Sequence, residues 1–214
     1  MRKFVIALAT LAATSGAFAI EVAGVKVDDK ASVGGQELVL NGAGVRTRAI
    51  FKVYVGSLYV PAKAPDLGTV LARGPRRIQM NILRNLTPDQ LVDALVDGLK
   101  ENNSADELNA VKTQTAELVT VMKSFNEVKE KDVVTLDFVD GATKIGLNGT
   151  AKGSISGEAF NRALTKVWLG DHPVQPDLKK AGKTGNWRDD DRKRCPISGP
   201  LAAIVFSPRA ATAV

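Results

Sequence analysis

Apolar and polar residues alternate along several short segments of the chain, which is the pattern of β-strands with one buried face. The segments are 21–27, 37–40, 77–83, 133–139, 144–147 and 150–155. Asp140-Gly141 and Asn148-Gly149 separate the last three segments, and both dipeptides favour two-residue hairpin turns. The pattern therefore predicts antiparallel strands, with a β-meander over residues 133–155.

Apolar residues recur with a helical period between these strands, after two clear start signals. Thr87 and Ser104 are followed three positions later by Gln90 and Glu107, as in a capping box. We therefore expect a pair of helices joined near residues 102–103. Their apolar stripes consist of Leu91, Leu95, Leu99, Leu108, Val111, Leu118, Met122 and Phe125.

A further helix follows the meander and ends at Gly170, a residue type that commonly terminates helices. Its stripe consists of Phe160, Leu164, Val167 and Trp168. Antiparallel strands with helices grouped between them are typical of the α+β class. We expect one antiparallel sheet that is covered on one face by a helical layer.

Both ends of the chain differ from this body. Residues 1–19 have a basic start, an apolar core and the small-residue sequence AFA, which predict a secretory signal peptide cleaved before Ile20. The apolar core is too short to span a membrane, so we expect an exported, periplasmic protein. Residues 182–214 contain a mixed charge run and an apolar patch without periodicity, and we expect them to be disordered. Residues 20–181 then form a single domain.

The net charge of +6 lies mainly outside this domain. Arg2 and Lys3 belong to the signal segment, and residues 182–214 hold six cations against three aspartates, which leaves about +1 for the body. A near-neutral body lacks the basic face of a nucleic-acid-binding domain. With Cys195 as the only cysteine and His172 as the only histidine, the sequence predicts no internal disulfide, no metal site and no Cys-His nucleophile.

Residues 40–61 have the sequence LNGAGVRTRAIFKVYVGSLYVP, in which a glycine-rich turn precedes a run of β-branched and aromatic residues. This run predicts one strand, although it carries Arg46, Arg48, Lys52 and Tyr54. A guanidinium in such a strand needs a partner. Either a bound ligand or a structural acceptor, such as backbone carbonyls or a buried acid, can supply it.

Three motifs, in this order, resemble the chalcone isomerase family, and most closely its exported bacterial chalcone isomerase-like members. They are GAGVR at 42–46, KVYVGSLY at 52–59 and LGDHPV with PDLKK at 169–180. The likeness extends from residue 20 to about residue 180. It implies an open-faced β-sandwich with a ligand cleft between the sheet and the helices. In the plant enzymes, a chalcone closes to a flavanone without a metal or an organic cofactor.

The resemblance also implies roles for particular residues. Arg46 matches the arginine that activates the attacking phenoxide, whereas Tyr54 stands where the enzymes have a threonine, and Asn161 lies near their last polar position. The helix tyrosine and asparagine of the enzymes fall near Thr87 and Ala94, or three residues further on, and are not matched. Each lost donor typically costs about a hundredfold in rate, so we do not expect a competent isomerase.

Plant fatty-acid-binding members of the family pair the arginine with a tyrosine on the next strand to hold a carboxylate. Arg46 and Tyr54 resemble that pair, and the first hypothesis is a non-catalytic binder of a fatty acid or a similar small amphiphilic acid. The candidate ligand-binding residues are Arg46, Tyr54 and Asn161. An isomerase and an envelope protein that binds a partner remain alternatives, and the sequence leaves the oligomeric state open.

The pairing of Arg46 with Tyr54 carries a geometric condition. Eight residues of straight strand span about 26 Å, which is too far for one head group. Residues 47–51 contain neither glycine nor proline, so the sequence signals no turn between the two side chains. If the strand is straight, Arg46 and Tyr54 have different roles.

Overall fold

The computed structural model describes residues 19–72 and 74–184, in which nine strands and six helices form. The strands are β1 (Ala19–Val22), β2 (Val25–Asp28), β3 (Lys30–Val33), β4 (Gln36–Arg48), β5 (Phe51–Val60), β6 (Arg76–Ile82), β7 (Val133–Val139), β8 (Ala142–Leu147) and β9 (Thr150–Ser156). The helices are α1 (Leu67–Ala72), α2 (Pro88–Asn102), α3 (Ala105–Ala110), α4 (Lys112–Lys123), α5 (Glu158–Leu169) and α6 (Pro176–Thr184).

Strands β3 to β9 form one antiparallel sheet in chain order. Asp140-Gly141 and Asn148-Gly149 turn the meander as expected, and all four residues have φ between 52° and 77°. Two-residue turns with positive φ at both positions match the right-handed twist of the strands that they join. The predicted meander over β7, β8 and β9 is therefore confirmed.

A helical layer covers one face of this sheet. Every second residue of β6 is buried, and Ile78 and Met80 belong to the same core cluster as Leu164 and Trp168 of α5. Both capping boxes are present at the starts of α2 and α3. The fold is thus α+β, an antiparallel sheet with a helical layer, as the sequence predicts.

The second face of the sheet has a smaller core of its own. The β1–β2 hairpin packs there, and Val27 joins a buried cluster with Leu38, Val55 and Tyr59 of the β4–β5 region. The Tyr59 hydroxyl donates to the Asp28 carbonyl at 3.0 Å, and burial raises the pKa of this phenol to about 12. The sheet therefore has helices on one face and a β-hairpin against part of the other.

Several boundaries differ from the sequence-based expectation. The strand expected at 21–27 is divided by a turn at Ala23-Gly24, whose φ angles are 50° and 80°. Helix α6 extends to Thr184, three residues beyond the predicted end of the domain. Residues 1–18 and 185–214, which hold most of the predicted signal peptide and tail, lie outside the described residues. None of the helices in the described ranges is long and apolar enough to cross a membrane.

Candidate functional site

Residues 40–61 form a hairpin, and the single strand expected from the sequence is wrong. The chain reverses between β4 and β5, where Ala49 adopts a φ of 53°, and the pairing shifts register just after Arg46. Arg46 and Tyr54 are consequently direct cross-strand partners. Side chains in this relation start about 5 Å apart, so both can reach one head group.

The hairpin has a weak signal in the sequence. A run of 22 residues is much longer than an ordinary strand, which argues for a reversal within it. Arg48 and Lys52 bracket the turn and are exposed. Ala49, however, is not a residue type that marks a left-handed turn position, so composition alone does not locate the reversal.

Tyr54 is a buried phenol with an unused proton. Its hydroxyl oxygen accepts a hydrogen bond from Nε1 of Trp168 at 3.0 Å. Burial raises its pKa, and the nearby positive charge of Arg46 and the hydrogen bond from Trp168 offset part of that rise. Within the described residues no acceptor takes the hydroxyl proton. Tyr54 is therefore neutral at physiological pH and able to donate.

Arg46 has spare donors as well. The half-buried guanidinium donates from Nη1 to the Val174 carbonyl at 2.8 Å, and no carboxylate of the described chain lies within ion-pair distance. Because a guanidinium has five donors in a planar fork, a loop carbonyl uses only part of its capacity. The structural role foreseen for Arg46, satisfying a carbonyl, is present and leaves room for a ligand.

Next to Arg46 and Tyr54 the sheet contributes no side chains, which leaves a gap on its surface. Gly44 and Gly56 are cross-strand partners, two residue pairs along the ladder from Arg46 and Tyr54 and therefore on the same face. A methyl group on Gly56 would overlap the Gln175 amide, and one on Gly44 would lie 2.8 Å from Cβ of Asp177. We call this gap between the two glycines the glycine slot.

Gln175 fills the glycine slot. Its amide nitrogen donates to the Gly44 carbonyl, whereas its Oε1 is buried and has no hydrogen-bond partner in the described chain. Gln175 and Val174 belong to the segment between α5 and α6. Residues 42–46, expected to contain a glycine-rich turn, are part of strand β4. The three motifs of the sequence analysis meet here, since the segment after α5 packs on the glycine-arginine part of β4 and on the tyrosine strand β5.

Comparison with known proteins agrees with this arrangement of motifs. The sequence profile of the family described as chalcone isomerase-like matches residues 19–181. The chain belongs to the chalcone isomerase-like family. Among solved structures, it is similar to a fatty-acid binding protein of Arabidopsis thaliana, with a TM-score of 0.60 and 14% identity over 78% of this chain and 96% of that chain. No curated protein matches the sequence.

Asn161 of this chalcone isomerase-like protein does not join Arg46 and Tyr54. It lies in the first turn of α5, where its Oδ1 accepts a hydrogen bond from the Thr143 hydroxyl at 2.6 Å. Seven residues separate it from Trp168, which is about 10 Å along a helix. The structure therefore places the third candidate residue in a different cluster.

The centre of that second cluster is Arg76, which the sequence analysis missed. Arg76 is 3% exposed, donates to the Thr165 hydroxyl at 2.9 Å and to the Asn161 carbonyl at 3.1 Å, and lies 4.6 Å from the centre of the Phe138 ring. Burial lowers its pKa to about 10, and the negative charge of Glu158 offsets part of this fall. Helix α5 and the sheet together enclose this cation.

Arg76 has a signal in the sequence that is clear in retrospect. Alternate residues of a strand point to the same face, and Arg76 alternates with Ile78, Met80 and Ile82 in β6. Its side chain therefore points toward the helices. A surface cavity of about 280 Å³ is lined by Arg76 and Asn161, among others, and a second of about 250 Å³ lies beside α1. Neither cavity is lined by Arg46 or by Tyr54.

Proposed function

We propose that this chalcone isomerase-like protein is an exported, non-catalytic binder of a fatty acid or a similar amphiphilic acid, whose carboxylate binds Arg46 and Tyr54. The observation that carries the proposal is the cross-strand pairing of these two residues, both of which have unused donors. The fold is shared with a plant protein that is named a fatty-acid binding protein.

The head group takes the place of the Val174 carbonyl. A carboxylate accepts two parallel hydrogen bonds from a guanidinium, which a single carbonyl oxygen cannot do. The Tyr54 hydroxyl adds a third donor from the neighbouring strand. Because Tyr54 is fully buried and Arg46 half-buried, these charge-assisted contacts form in a medium of low dielectric constant, where they are strong.

The first carbons of the acid enter the glycine slot when Gln175 leaves it. The buried, unpaired Oε1 of Gln175 costs about 1–3 kcal/mol, and this cost is removed when the side chain reaches water. Beyond the slot on the same face lies Leu58, in the core between sheet and helices. Binding is therefore coupled to an outward movement of the segment between α5 and α6.

Ring closure of a chalcone would need further polar groups at the developing enolate. The two polar residues at the start of α2 near the expected positions, Thr87 and Gln90, bond each other's backbone in the capping box and are exposed. Their side-chain oxygens are thus used as acceptors at the start of a helix. This arrangement favours binding over catalysis.

The proposal is tested with delipidated protein and palmitate by titration calorimetry. We expect saturable binding of one acid, weakened at least tenfold in Arg46→Gln, since hydrogen bonds to charged groups contribute about 1.5–3 kcal/mol. Arg48→Gln, which removes the same charge two residues away, is the matched control and should bind normally. Absence of uptake, or equal affinity in Arg46→Gln, would contradict the proposal.

A chalcone assay separates this function from the isomerase alternative. The same preparation is mixed with chalcones, and flavanone formation is followed by absorbance. We expect flavanone to form no faster with the protein than in buffer alone. A rate above that of buffer which disappears in Arg46→Gln would assign the site to catalysis instead.

A further inference from the structure

The tip of the β4–β5 hairpin exposes two large apolar side chains. Ile50 is 85% and Phe51 is 53% exposed, and these adjacent residues are the exposed large hydrophobic side chains of the described ranges. Isolated apolar residues on a surface need no explanation, but an adjacent pair at the end of a projecting hairpin is a candidate interaction surface.

Cations surround this pair. Arg48 and Lys52 flank it in the chain and are exposed, and the Arg84 guanidinium lies 4.6 Å from the centre of the Phe51 ring. None of the three forms an ion pair with another described residue. We call the surface formed by Arg48, Ile50, Phe51, Lys52 and Arg84 the hairpin tip.

The hairpin that carries the tip has a single acidic residue, Glu37, which lies at the far end of β4 and pairs with Lys30 at 2.8 Å. Neither aspartate nor glutamate occurs anywhere in residues 38–65. In the described body, by contrast, many exposed lysines lie beside carboxylates, as Lys123 does with Asp89 at 3.1 Å. The tip therefore presents a local positive charge on a protein body that is close to neutral.

We infer that the hairpin tip docks on an anionic lipid surface. Ile50 and Phe51 enter the boundary between head groups and acyl chains, while Arg48, Lys52 and Arg84 contact lipid phosphates. An anionic bilayer has an apolar interior and negatively charged head groups. Apolar side chains bordered by lysine and arginine match both properties. A soluble anion would use the cations and would leave the two apolar side chains unexplained.

Self-association is a weaker explanation of the same surface. Two tips facing each other would bring together six cations without a carboxylate from residues 38–65 of either chain. Like charges in contact repel, whereas an anionic membrane attracts all of them. Charge complementarity therefore selects the lipid surface over a second copy of the chain.

Docking at the tip would have a consequence for the proposed acid site. Arg46 lies on β4, two residues before Arg48, so the tip would hold the Arg46–Tyr54 pair close to the membrane surface. A fatty acid could then pass between bilayer and protein over a short path. The docking inference does not depend on acid binding, and the two are tested by different variants.

The test is flotation of the purified protein with lipid vesicles. Vesicles of phosphatidylcholine with phosphatidylglycerol are compared with vesicles of phosphatidylcholine alone, at low salt and at about 1 M salt, where the Debye length falls to about 3 Å. We expect binding to the anionic vesicles that is at least tenfold weaker without phosphatidylglycerol or at high salt. Each cation near such a surface contributes roughly fivefold.

Three double variants test which residues contribute to vesicle binding. One double variant combines Ile50→Ser with Phe51→Ser, and a second combines Arg48→Gln with Lys52→Gln. Each should reduce vesicle binding at least tenfold. Since all four side chains are exposed, both proteins should fold normally. Lys144→Gln with Lys152→Gln removes the same charge from β8 and β9, at the other side of the sheet, and should bind like the unmodified protein.

Other outcomes would overturn the inference. Absence of flotation, or flotation that all three double variants share, would exclude the tip as the lipid-binding surface. Dimerisation that is lost in Ile50→Ser with Phe51→Ser, measured by analytical ultracentrifugation, would assign the tip to a second copy. Arg46→Gln should still float, so a failure of acid binding and a failure of docking remain distinguishable.

Discussion

Two arginines lie on the helix-covered face of the sheet, and their surroundings differ in one decisive respect. Arg76 is almost fully buried, with its hydrogen-bond acceptors on α5 and its guanidinium over the Phe138 ring. Arg46 is half-buried and donates to the Val174 carbonyl in the segment between two helices. Arg76 stands about 20 Å along β6 from Ile82, the residue that pairs with Tyr54.

The difference separates a structural cation from the cation that we propose as a ligand-binding residue. The acceptors of Arg76 are a helix backbone and a buried hydroxyl, which cannot leave without unfolding α5. The acceptor of Arg46 can be exchanged for a carboxylate, because Val174 lies outside regular structure and next to the poorly satisfied Gln175. The same residue type thus has fixed acceptors at one end of the face and an exchangeable acceptor, at the proposed site, at the other.

The largest expected effect is on stability. Arg76→Ala should lower the free energy of unfolding by about 3 kcal/mol, since it removes two buried hydrogen bonds and the contact with Phe138. Arg46→Ala should cost about 1 kcal/mol. Urea denaturation of both variants measures the two values. Equal losses would remove the distinction between the two arginines.

Alkaline titration tests the surroundings of the two tyrosines. Tyr54 and Tyr59 are the only tyrosines, and both have raised pKa values, that of Tyr59 being about 12. A group whose pKa is raised by folding contributes stability below its ordinary value of 10, and this contribution is lost as pH rises through the folded-state pKa. We therefore expect the contribution of Tyr59 to the free energy of unfolding to fall by roughly 2–3 kcal/mol between pH 10 and 12.

Absorbance of the phenolates at alkaline pH provides the readout for these two residues. In Arg46→Gln the Tyr54 phenol should ionise at higher pH, because the positive charge that favours the phenolate is gone, while Tyr59 should be unchanged. Arg76→Gln should leave both titrations as they are. A shift of Tyr54 in Arg76→Gln would show that the two ends of the face are coupled.

A smaller effect is expected from the glycine slot. Gly56→Ala places a methyl group against the Gln175 amide and should cost about 1–2 kcal/mol of stability, as overpacking typically does. Gln175→Ala removes the overlapping amide, so the double variant should recover most of this loss. A double-mutant cycle measures the coupling. Additive losses would mean that Gln175 does not occupy the slot.

Local signals predicted much of the fold. Thr87 and Ser104 mark helix starts, and Asp140-Gly141 marks a hairpin turn, because each acts through its own neighbours in the chain. The reversal at Ala49 could not be located in this way, since pairing of β4 with β5 imposes the turn on a residue that does not favour it.

The candidate site depended still more on distant contacts. Family resemblance identified Arg46 and Tyr54, but only the hairpin makes them neighbours. The place of Gln175 in the glycine slot joins residues more than a hundred positions apart, and no local pattern predicts it. Arg76 was visible in the alternation of β6, yet its partners on α5 were not.

The most direct test of the account is a crystal structure of the protein with bound palmitate. We expect the carboxylate within about 3 Å of the Arg46 guanidinium and the Tyr54 hydroxyl. The Val174 carbonyl should have moved off Arg46, and Gln175 should have left the glycine slot. Palmitate bound elsewhere, for instance in the cavity beside Arg76, with Arg46 still bonded to Val174, would contradict the account.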